Sequence, residues 1–540
     1  NWTGGFVPAA GDDVEYATLV NYTDSAKRDL QLDINRTIGN LINATGKKLI
    51  IPAGKGLIVN NSITTDGSVN RILIKSSSTQ PNGSLIYNNP EGFPVKATVE
   101  MYTKAFIDNT QTTNNGKYKW QYFGIPITSV RAEPTFYGSY VRKWYEPGDT
   151  INTHWISLTN ESILVPFYGY EICQAAPKTI VYQGQLINQN FNSGPLVIST
   201  TSMLTSRGNF VFANSYTSAI DIRQLEFGQQ MEATVYLYNA GSFNDWLNTG
   251  GAATPGENPG QYVSIPKVYA GQYQFPRQIP SMSAMVVKAK TNDANAYFKI
   301  NYKNVALTNT DMHRVRSAEE SDRSAIIIDV KGETLSDRMW LITDSLSSNT
   351  FDNGYDGMKM LGSSLAPQIF AEEADGNYQV NSVKNINNTT LCFQAGKDRE
   401  YTMKFTNSYI SKNYAGVFLV DLLENKTIDI TESGTEYKFT ANSTPNPVKR
   451  FKIVARYYDE EDFDKPSNLK VFSAGGMVFV QNFSDVEGTL RLYDISGRFV
   501  KSVILPANGF ISSISGLKSG AYVVNAYTVN EKCNKRVIVY

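Results

Sequence analysis

Apolar residues recur along the chain in short blocks rather than on a helical stripe. Leu30, Leu32 and Ile34 alternate with polar positions, the period of a half-buried strand, although the run 26–30 also suits a helix start. Leu-Ile blocks then return as Asn40-Leu41-Ile42, Lys48-Leu49-Ile50-Ile51, Gly56-Leu57-Ile58-Val59, Arg71-Ile72-Leu73-Ile74 and Ser84-Leu85-Ile86-Tyr87, with Gly, Asn, Pro or Ser between them. Spacings of roughly 8 to 16 residues leave no room for crossover helices, so these blocks predict a solenoid of small rungs or a tight meander, with a plain β-sandwich as the alternative.

Further on the alternation is aromatic. Tyr118-Lys119-Trp120-Gln121-Tyr122-Phe123, Thr179-Ile180-Val181-Tyr182-Gln183, Thr234-Val235-Tyr236-Leu237-Tyr238 and Tyr297-Phe298-Lys299-Ile300-Asn301-Tyr302 place a ring or β-branched residue on most second positions, as half-buried strands do. The Gly/Pro/Asn stretch 248–260 reads as a surface loop within this module. A charge-dense stretch at 311–323 separates it from renewed strand patterns at Ala325-Ile326-Ile327-Ile328, Tyr401-Thr402-Met403-Lys404-Phe405, Gly416-Val417-Phe418-Leu419-Val420 and Arg450-Phe451-Lys452-Ile453-Val454. An acidic run ending in Pro466 reads as a linker, and six or seven short strands follow it. The predicted chain is all-β and multidomain: a short β-solenoid-like region (1–117), two β-sandwich or jelly-roll-like modules (118–310 and 311–458), a linker (459–467) and a small Ig-like sandwich (468–540).

Composition narrows the function. The 540 residues carry 50 Lys+Arg against 50 Asp+Glu, so no net field draws the chain onto nucleic acid or an anionic membrane. Cys173, Cys392 and Cys533 are the only cysteines, and His154 and His313 the only histidines; a disulfide scaffold or multi-histidine metal site is not expected. Apolar runs fall far short of the ~18 residues that span a bilayer. Asn1 follows no initiator methionine or signal peptide features, which predicts a mature piece of a longer protein.

Motifs for chemistry are sparse. Gly46-Lys47 and Gly54-Lys55 lack the earlier glycine of a phosphate loop. A Ser-His-Asp triad has only His154 or His313 to use; His154 lies in a strand-like stretch and reads as a packed histidine, His313 as a solvated one. The adjacent pairs Asp12-Asp13 and Glu319-Glu320 point to opposite faces of a strand and do not flank one bond. Asp352-Asn353-Gly354-Tyr355-Asp356-Gly357 and the run 459–464 offer oxygen ligands without EF-hand spacing, and read as turn and linker. No cofactor is implied.

The tail carries the most specific signal. Leu490-Arg491-Leu492-Tyr493-Asp494-Ile495-Ser496-Gly497-Arg498, Gly516-Leu517-Lys518-Ser519-Gly520-Ala521-Tyr522-Val523-Val524 and Lys535-Arg536-Val537-Ile538-Val539 resemble, in order and position, the type A sorting domain of the Bacteroidota type IX secretion system. That resemblance implies an export signal read by an outer-membrane translocon and a PorV-like shuttle barrel. It also implies a cargo folded before it crosses the outer membrane, a tail commonly removed afterwards, and attachment to surface lipopolysaccharide. Leu492, Tyr493, Asp494, Ser496, Gly497, Arg498, Gly520, Tyr522, Val523, Lys535 and Val537 are the positions that carry it. As plain turn chemistry, Asp494-Ile495-Ser496-Gly497 joins two strands.

Upstream, Asn1-Trp2-Thr3-Gly4-Gly5-Phe6-Val7-Pro8 with Gly11-Asp12-Asp13-Val14 looks like the opening of β-solenoids in large Bacteroidota surface proteins. Lys119-Trp120-Gln121-Tyr122-Phe123-Gly124-Ile125-Pro126 and Phe351-Asp352-Asn353-Gly354-Tyr355-Asp356-Gly357 are similar to modules that follow such solenoids or precede the tail. In that context Asp24-Ser25-Ala26, Asp149-Thr150-Ile151 and Asp344-Ser345-Leu346 resemble Bacteroidota O-glycosylation sequences, making Ser25, Thr150 and Ser345 candidate sites. The function read from the chain is a non-enzymatic, exported cell-surface protein: stalk, surface layer or adhesin scaffold. The alternative is a secreted glycan-binding or glycan-degrading protein using the aromatic module, which requires Trp120, Trp144, Trp155 and Trp246 to form an exposed row.

Overall fold

The computed structural model describes residues 11–12, 14–16, 29–43, 46–89, 94–110, 117–238, 261–310, 323–458 and 467–540. The features expected at Asn1 to Pro8, Ser25, Trp246, 248–260, His313, Glu319-Glu320 and 459–466 lie outside them. Regular structure among the described residues is almost entirely strand, with helices of a single turn such as Ile151–His154 and Tyr302–Val305. The chain divides into two compact units, Asn1–Arg316 and Ser317–Tyr540.

The Leu-Ile blocks of the first unit stack in parallel, as a solenoid requires. Leu30–Gln31, Leu49–Ile51 and Ile72–Ile74 form one ladder, Arg36–Ile38, Gly56–Val59 and Ser84–Tyr87 a second, and Val14–Tyr16, Leu41–Asn43 and Ile63–Thr65 a third. Like sits on like: Leu30 on Leu49 on Ile72, and Ile38 on Val59 on Tyr87. Alternate residues point inward, so Ile51, Val59, Ile72, Ile74 and Leu85 are buried. Successive rungs pass so closely at Gly83 that a Cβ there would lie 2.6 Å from the Ile51 carbonyl oxygen.

Strand Lys96–Thr103 joins this coil to the aromatic module. One edge runs parallel to Ile72–Ile74 and the other antiparallel to Lys178–Gln185. The coil and Phe123, Ile125, Ile172, Ile180 and Tyr182 share one core. The Tyr87 amide donates to the Tyr302 hydroxyl at 3.0 Å, and the Thr217 hydroxyl to the Leu85 carbonyl at 2.8 Å. The module contains two four-stranded sheets, one holding Gln121–Phe123, Tyr170–Gln174, Ser139–Trp144 and Trp155–Ser157, the other Asn209–Ala213, Ala284–Lys288, Thr234–Tyr238 and Tyr262–Pro266. The segment 118–123, expected as one strand, breaks at Trp120: Tyr118–Lys119 pairs with Phe106–Ile107, and Gln121–Phe123 with Tyr170–Gln174.

In the second unit, the strands between 324 and 456 share one continuous 11-stranded sheet, where two facing sheets are the sequence expectation. It curls into a nearly closed barrel around Ile326, Ile328, Met339, Leu341, Leu391, Phe393, Phe405 and Phe451. One pairing is parallel, Ser336–Thr343 with Gly376–Val383. The path ends at Lys426–Asp429 and Glu436–Thr440, and side chains bridge the seam near these ends. Tyr437 Oη donates to Asp421 Oδ2 at 2.9 Å, Arg450 Nη2 to the same oxygen at 2.8 Å, and Arg450 Nη1 to the Thr440 carbonyl at 2.7 Å.

The last residues form a small sandwich. Leu469–Ala474, Met477–Asn482 and Phe510–Ile514 make a three-stranded sheet; Phe499–Leu505, Gly488–Asp494, Gly520–Thr528 and Lys532–Val539 a four-stranded one. Leu469, Val471, Val478, Val480, Leu490, Leu492, Ile514, Val524 and Val539 fill the space between them.

Candidate functional site

The positions that carry the tail's resemblance lie in or beside the four-stranded sheet of the last sandwich. Antiparallel pairing sets Asp494 opposite Tyr522 and Tyr522 opposite Val537; the next rows are Tyr493, Val523 and Arg536, then Leu492, Val524 and Lys535. Gly520 pairs with Val539 at the same end. Three sequence blocks thus become adjacent rows at one end of one sheet. Leu492, Tyr522 and Val537 face the core, and Tyr522 Oη donates to the Lys518 carbonyl at 2.8 Å.

At the head of these rows Asp494 organises a tight turn. Its Oδ1 accepts from the Ser496 amide at 3.0 Å, the Ser496 hydroxyl at 2.6 Å and the Arg498 amide at 3.0 Å, and its Oδ2 from Arg498 Nε at 3.0 Å. The Gly497 amide donates to the Asp494 carbonyl at 2.9 Å, and Gly497 has φ +83°, where a side chain is disfavoured. The Ser496 hydroxyl, followed by the amide and guanidinium of Arg498, holds the Asp494 carboxyl below its ordinary range. The result is a pre-shaped, exposed turn presenting Ser496, Gly497 and Arg498 to solvent.

Beside the turn lies a feature outside the motif reading. Strand Phe499–Leu505 is an edge strand, yet Phe499, Val500 and Ile504 are exposed, and Phe510 nearby is exposed too. Edges are normally blunted by charge, bulges or cover. The sequence signal was there: apolar residues at both parities, Phe499 and Val500, Val503 and Ile504, in a strand with one strand neighbour in its sheet.

Two glycosylation candidates are described. Thr150 and Ser345 are both exposed. Thr150 caps the turn Ile151–His154, its hydroxyl 3.2 Å from Thr153 Oγ1; Ser345 sits in a turn where Asp344 Oδ1 accepts the Leu346 amide at 3.0 Å.

His154 and Asp356, among the described candidates, resolve into packing. His154 is buried and stacked on Trp144 at 4.3 Å; its Nδ1 donates to the Tyr145 carbonyl at 2.8 Å, and the Ser206 hydroxyl lies 2.7 Å from Nε2. This Ser-His pair is closed in on both members, since Ser206 is buried as well. Asp356 accepts the Asp352 amide on Oδ2 and the Ser382 amide on Oδ1, each at 2.7 Å, so its oxygens fasten backbone rather than stand open to a cation. Burial, with Asp352 and Asp375 adding to it, pushes its carboxyl up to about 7. Among the described residues no group of three or more His, Cys, Asp or Glu is placed to hold a metal ion. The three cysteines are free thiols, and burial pushes Cys173 and Cys392 up to about 11.

The described tryptophans do not form a sugar platform. Trp155 is buried, Trp144 is covered by His154 and donates Nε1 to the Asn209 carbonyl at 2.7 Å, and the Arg142 guanidinium lies 3.8 Å over the Trp120 ring. A cavity of about 60 Å³ lined by Lys104, Gln121, Tyr122, Tyr238 and Asn309 has room for a few waters, far less than ordinary ligand pockets enclose.

The class defined is an all-β, multi-module protein. No protein-family model matches the chain. It is 33% identical, along its whole length, to the minor fimbrium subunit Mfa5 of Porphyromonas gingivalis, and is homologous to it; the chain spans 44% of that protein's length. Among solved structures, the BSP domain of a biofilm associated protein aligns over 82% of this chain and 95% of that one at 8% identity and a TM-score of 0.14, too low for any argument about fold or function.

Proposed function

We propose that this chain is a non-enzymatic scaffold of the bacterial cell surface, a fimbrial or adhesin-type component, with its last sandwich acting as the signal for type IX export. The translocon and a PorV-like shuttle barrel are the partners that read the turn. One observation carries this: three separated sequence blocks fold into contiguous rows that end in a hydrogen-bonded, exposed turn. Homology to a fimbrium subunit supports the surface role. The buried His154 and the covered or buried positions of Trp120, Trp144 and Trp155 among the described residues favour a scaffold over the glycan-active alternative.

The test is export in the native host. The paired substitution Asp494→Ala and Arg498→Glu removes the turn's organiser and reverses its exposed charge without touching the core. The expected outcome is loss from the surface and accumulation in the periplasm, with the melting temperature of the purified protein little changed. Undiminished surface display of that variant refutes the export reading. Intact mass of the protein from native cells tests attachment of lipopolysaccharide and sugar, the latter at Thr150 and Ser345.

A further inference from the structure

The three-stranded sheet of the last sandwich is covered on both faces. In Met477–Asn482 every residue is buried: Val478 and Val480 point into the sandwich core, while Met477 and Phe479 join Val420, Val454 and Ala474 in a second apolar cluster. The other two strands alternate likewise. Leu469, Val471 and Ile514 face inward, and Phe472 and Ile511 pack against the second cluster. A free sandwich would carry polar residues on that outer face.

The opposing surface is the outside of the barrel. On Gly416–Asp421, Val417 and Leu419 enter the barrel core, whereas Phe418 and Val420 point the other way and are also buried. Phe418 stacks on Phe472 at 5.5 Å, and Phe472 on Phe479 at 5.0 Å. Polar contacts rim the cluster: Gln481 Nε2 donates to Asp429 Oδ2 at 3.1 Å, Lys452 Nζ to the Gly475 carbonyl at 3.4 Å, and the Thr427 and Ser513 hydroxyls lie 3.4 Å apart. The hairpin tip Gly475-Gly476 is fitted to the same surface. Both glycines have positive φ, and a Cβ on Gly475 would lie 3.0 Å from Asn388 Oδ1 and 3.2 Å from Lys452 Cδ. An apolar centre ringed by polar pairs is the anatomy of a specific interface.

From this we infer that the last sandwich is a docked cover on the barrel, and that cutting the chain between 458 and 467 does not by itself release it. Severing and release are two events. The docked face is the three-stranded sheet; the sorting turn belongs to the four-stranded sheet, so a reader can engage the turn while the cover is still in place. Release bares Phe418, Val420 and Val454, an apolar surface whose fitted partner is the sheet that has left it. The docking is independent of the export reading; only the timing of release relative to export rests on it.

The experiment uses the full chain with a site-specific protease sequence inserted between residues 458 and 467, folded and then cut. On size-exclusion chromatography at low micromolar concentration the two pieces are expected to co-elute. Phe479→Asp, whose side chain faces the barrel, is expected to weaken the pair by about a hundredfold or more, the loss typical of a buried interface anchor, so that its pieces separate on cutting. Ile504→Asp, on the exposed edge strand, is the control that stays together. Should uncut Phe479→Asp fail to fold, Phe472→Ala, on the same outer face and stacked on Phe418, interrogates the same contact. Separation of the unsubstituted pieces on cutting overturns the inference, as does release by Ile504→Asp equal to that by the interface variant. The chromatography decides docking and the surface assay decides export, so the two can fail separately.

Discussion

Arg450 and Asp421 are both almost wholly buried, and together they tie the barrel's seam. Asp421 also accepts the Leu423 and Glu424 amides at 3.0 and 3.2 Å, while the Arg450 guanidinium lies 4.5 Å from the Phe439 ring centre and 5.1 Å from that of Phe451. Removing one member strands the other's charge in the interior. Arg450→Ala is therefore expected to cost about 3–5 kcal/mol, and the pair Arg450→Met with Asp421→Leu much less, as read by urea unfolding. Asp356 supplies a pH effect. Its pKa of about 7 in the fold exceeds the ordinary 3.8, so folding takes up a proton between those values. Its contribution is complete below pH ~4 and lost as the pH rises through about 7. Thermal melts between pH 4 and 7 should show a falling melting temperature, with the slope reduced in Asp356→Asn. Local chemistry of this kind is partly legible in sequence. Asp494 to Arg498 reads as a turn because its partners are at most four residues away. Asp421 and Arg450 stand 29 residues apart and meet only through strand pairing, so nothing in their neighbourhood announces the pair.

Among the elements, the edge strand Phe499–Leu505 leaves Phe499, Val500 and Ile504 exposed. Exposed apolar side chains on a sheet edge template pairing with other chains. Ile504→Lys should therefore lower aggregation of the purified protein during incubation, followed by light scattering, and leave stability within about 0.5 kcal/mol because Ile504 is 68% exposed. The elements were the most legible level. Short Leu-Ile blocks with no room for helices point to short strands in a solenoid or tight meander, and Leu49–Ile51 and Ile72–Ile74 are short strands paired in parallel. The barrel was less legible, because alternation reports that one face of a strand is buried and not whether the neighbours close into one sheet or split into two. The Met477-Val478-Phe479-Val480 run held a further clue. Uninterrupted apolar residues in a sandwich strand mean that both faces are covered, and only the folded chain reveals that the second cover is the barrel.

For the molecule as a whole, equal numbers of acidic and basic residues leave shape and packing, rather than a net field, to govern its associations. The barrel's connectivity adds something of another kind. Its first strand, Ser324–Lys331, is bonded on both sides, to Ser336–Thr343 and Glu400–Ser408. Its last, Val448–Arg456, is bonded on both sides as well, to Thr389–Gln394 and Gly416–Asp421. Following the registers across the sheet, these two strands run in the same direction, so the chain enters at one end of the barrel and leaves at the other. A tensile force on the two ends pulls each strand along its own axis, at right angles to its hydrogen bonds. The ladders are then loaded in shear, all bonds together, instead of being unzipped singly. In single-molecule pulling, residues 324–456 should yield as one high-force event, and a staircase of small ruptures would contradict this geometry. Tension applied across the two ends of the barrel is thus shared by whole ladders instead of falling on one bond at a time.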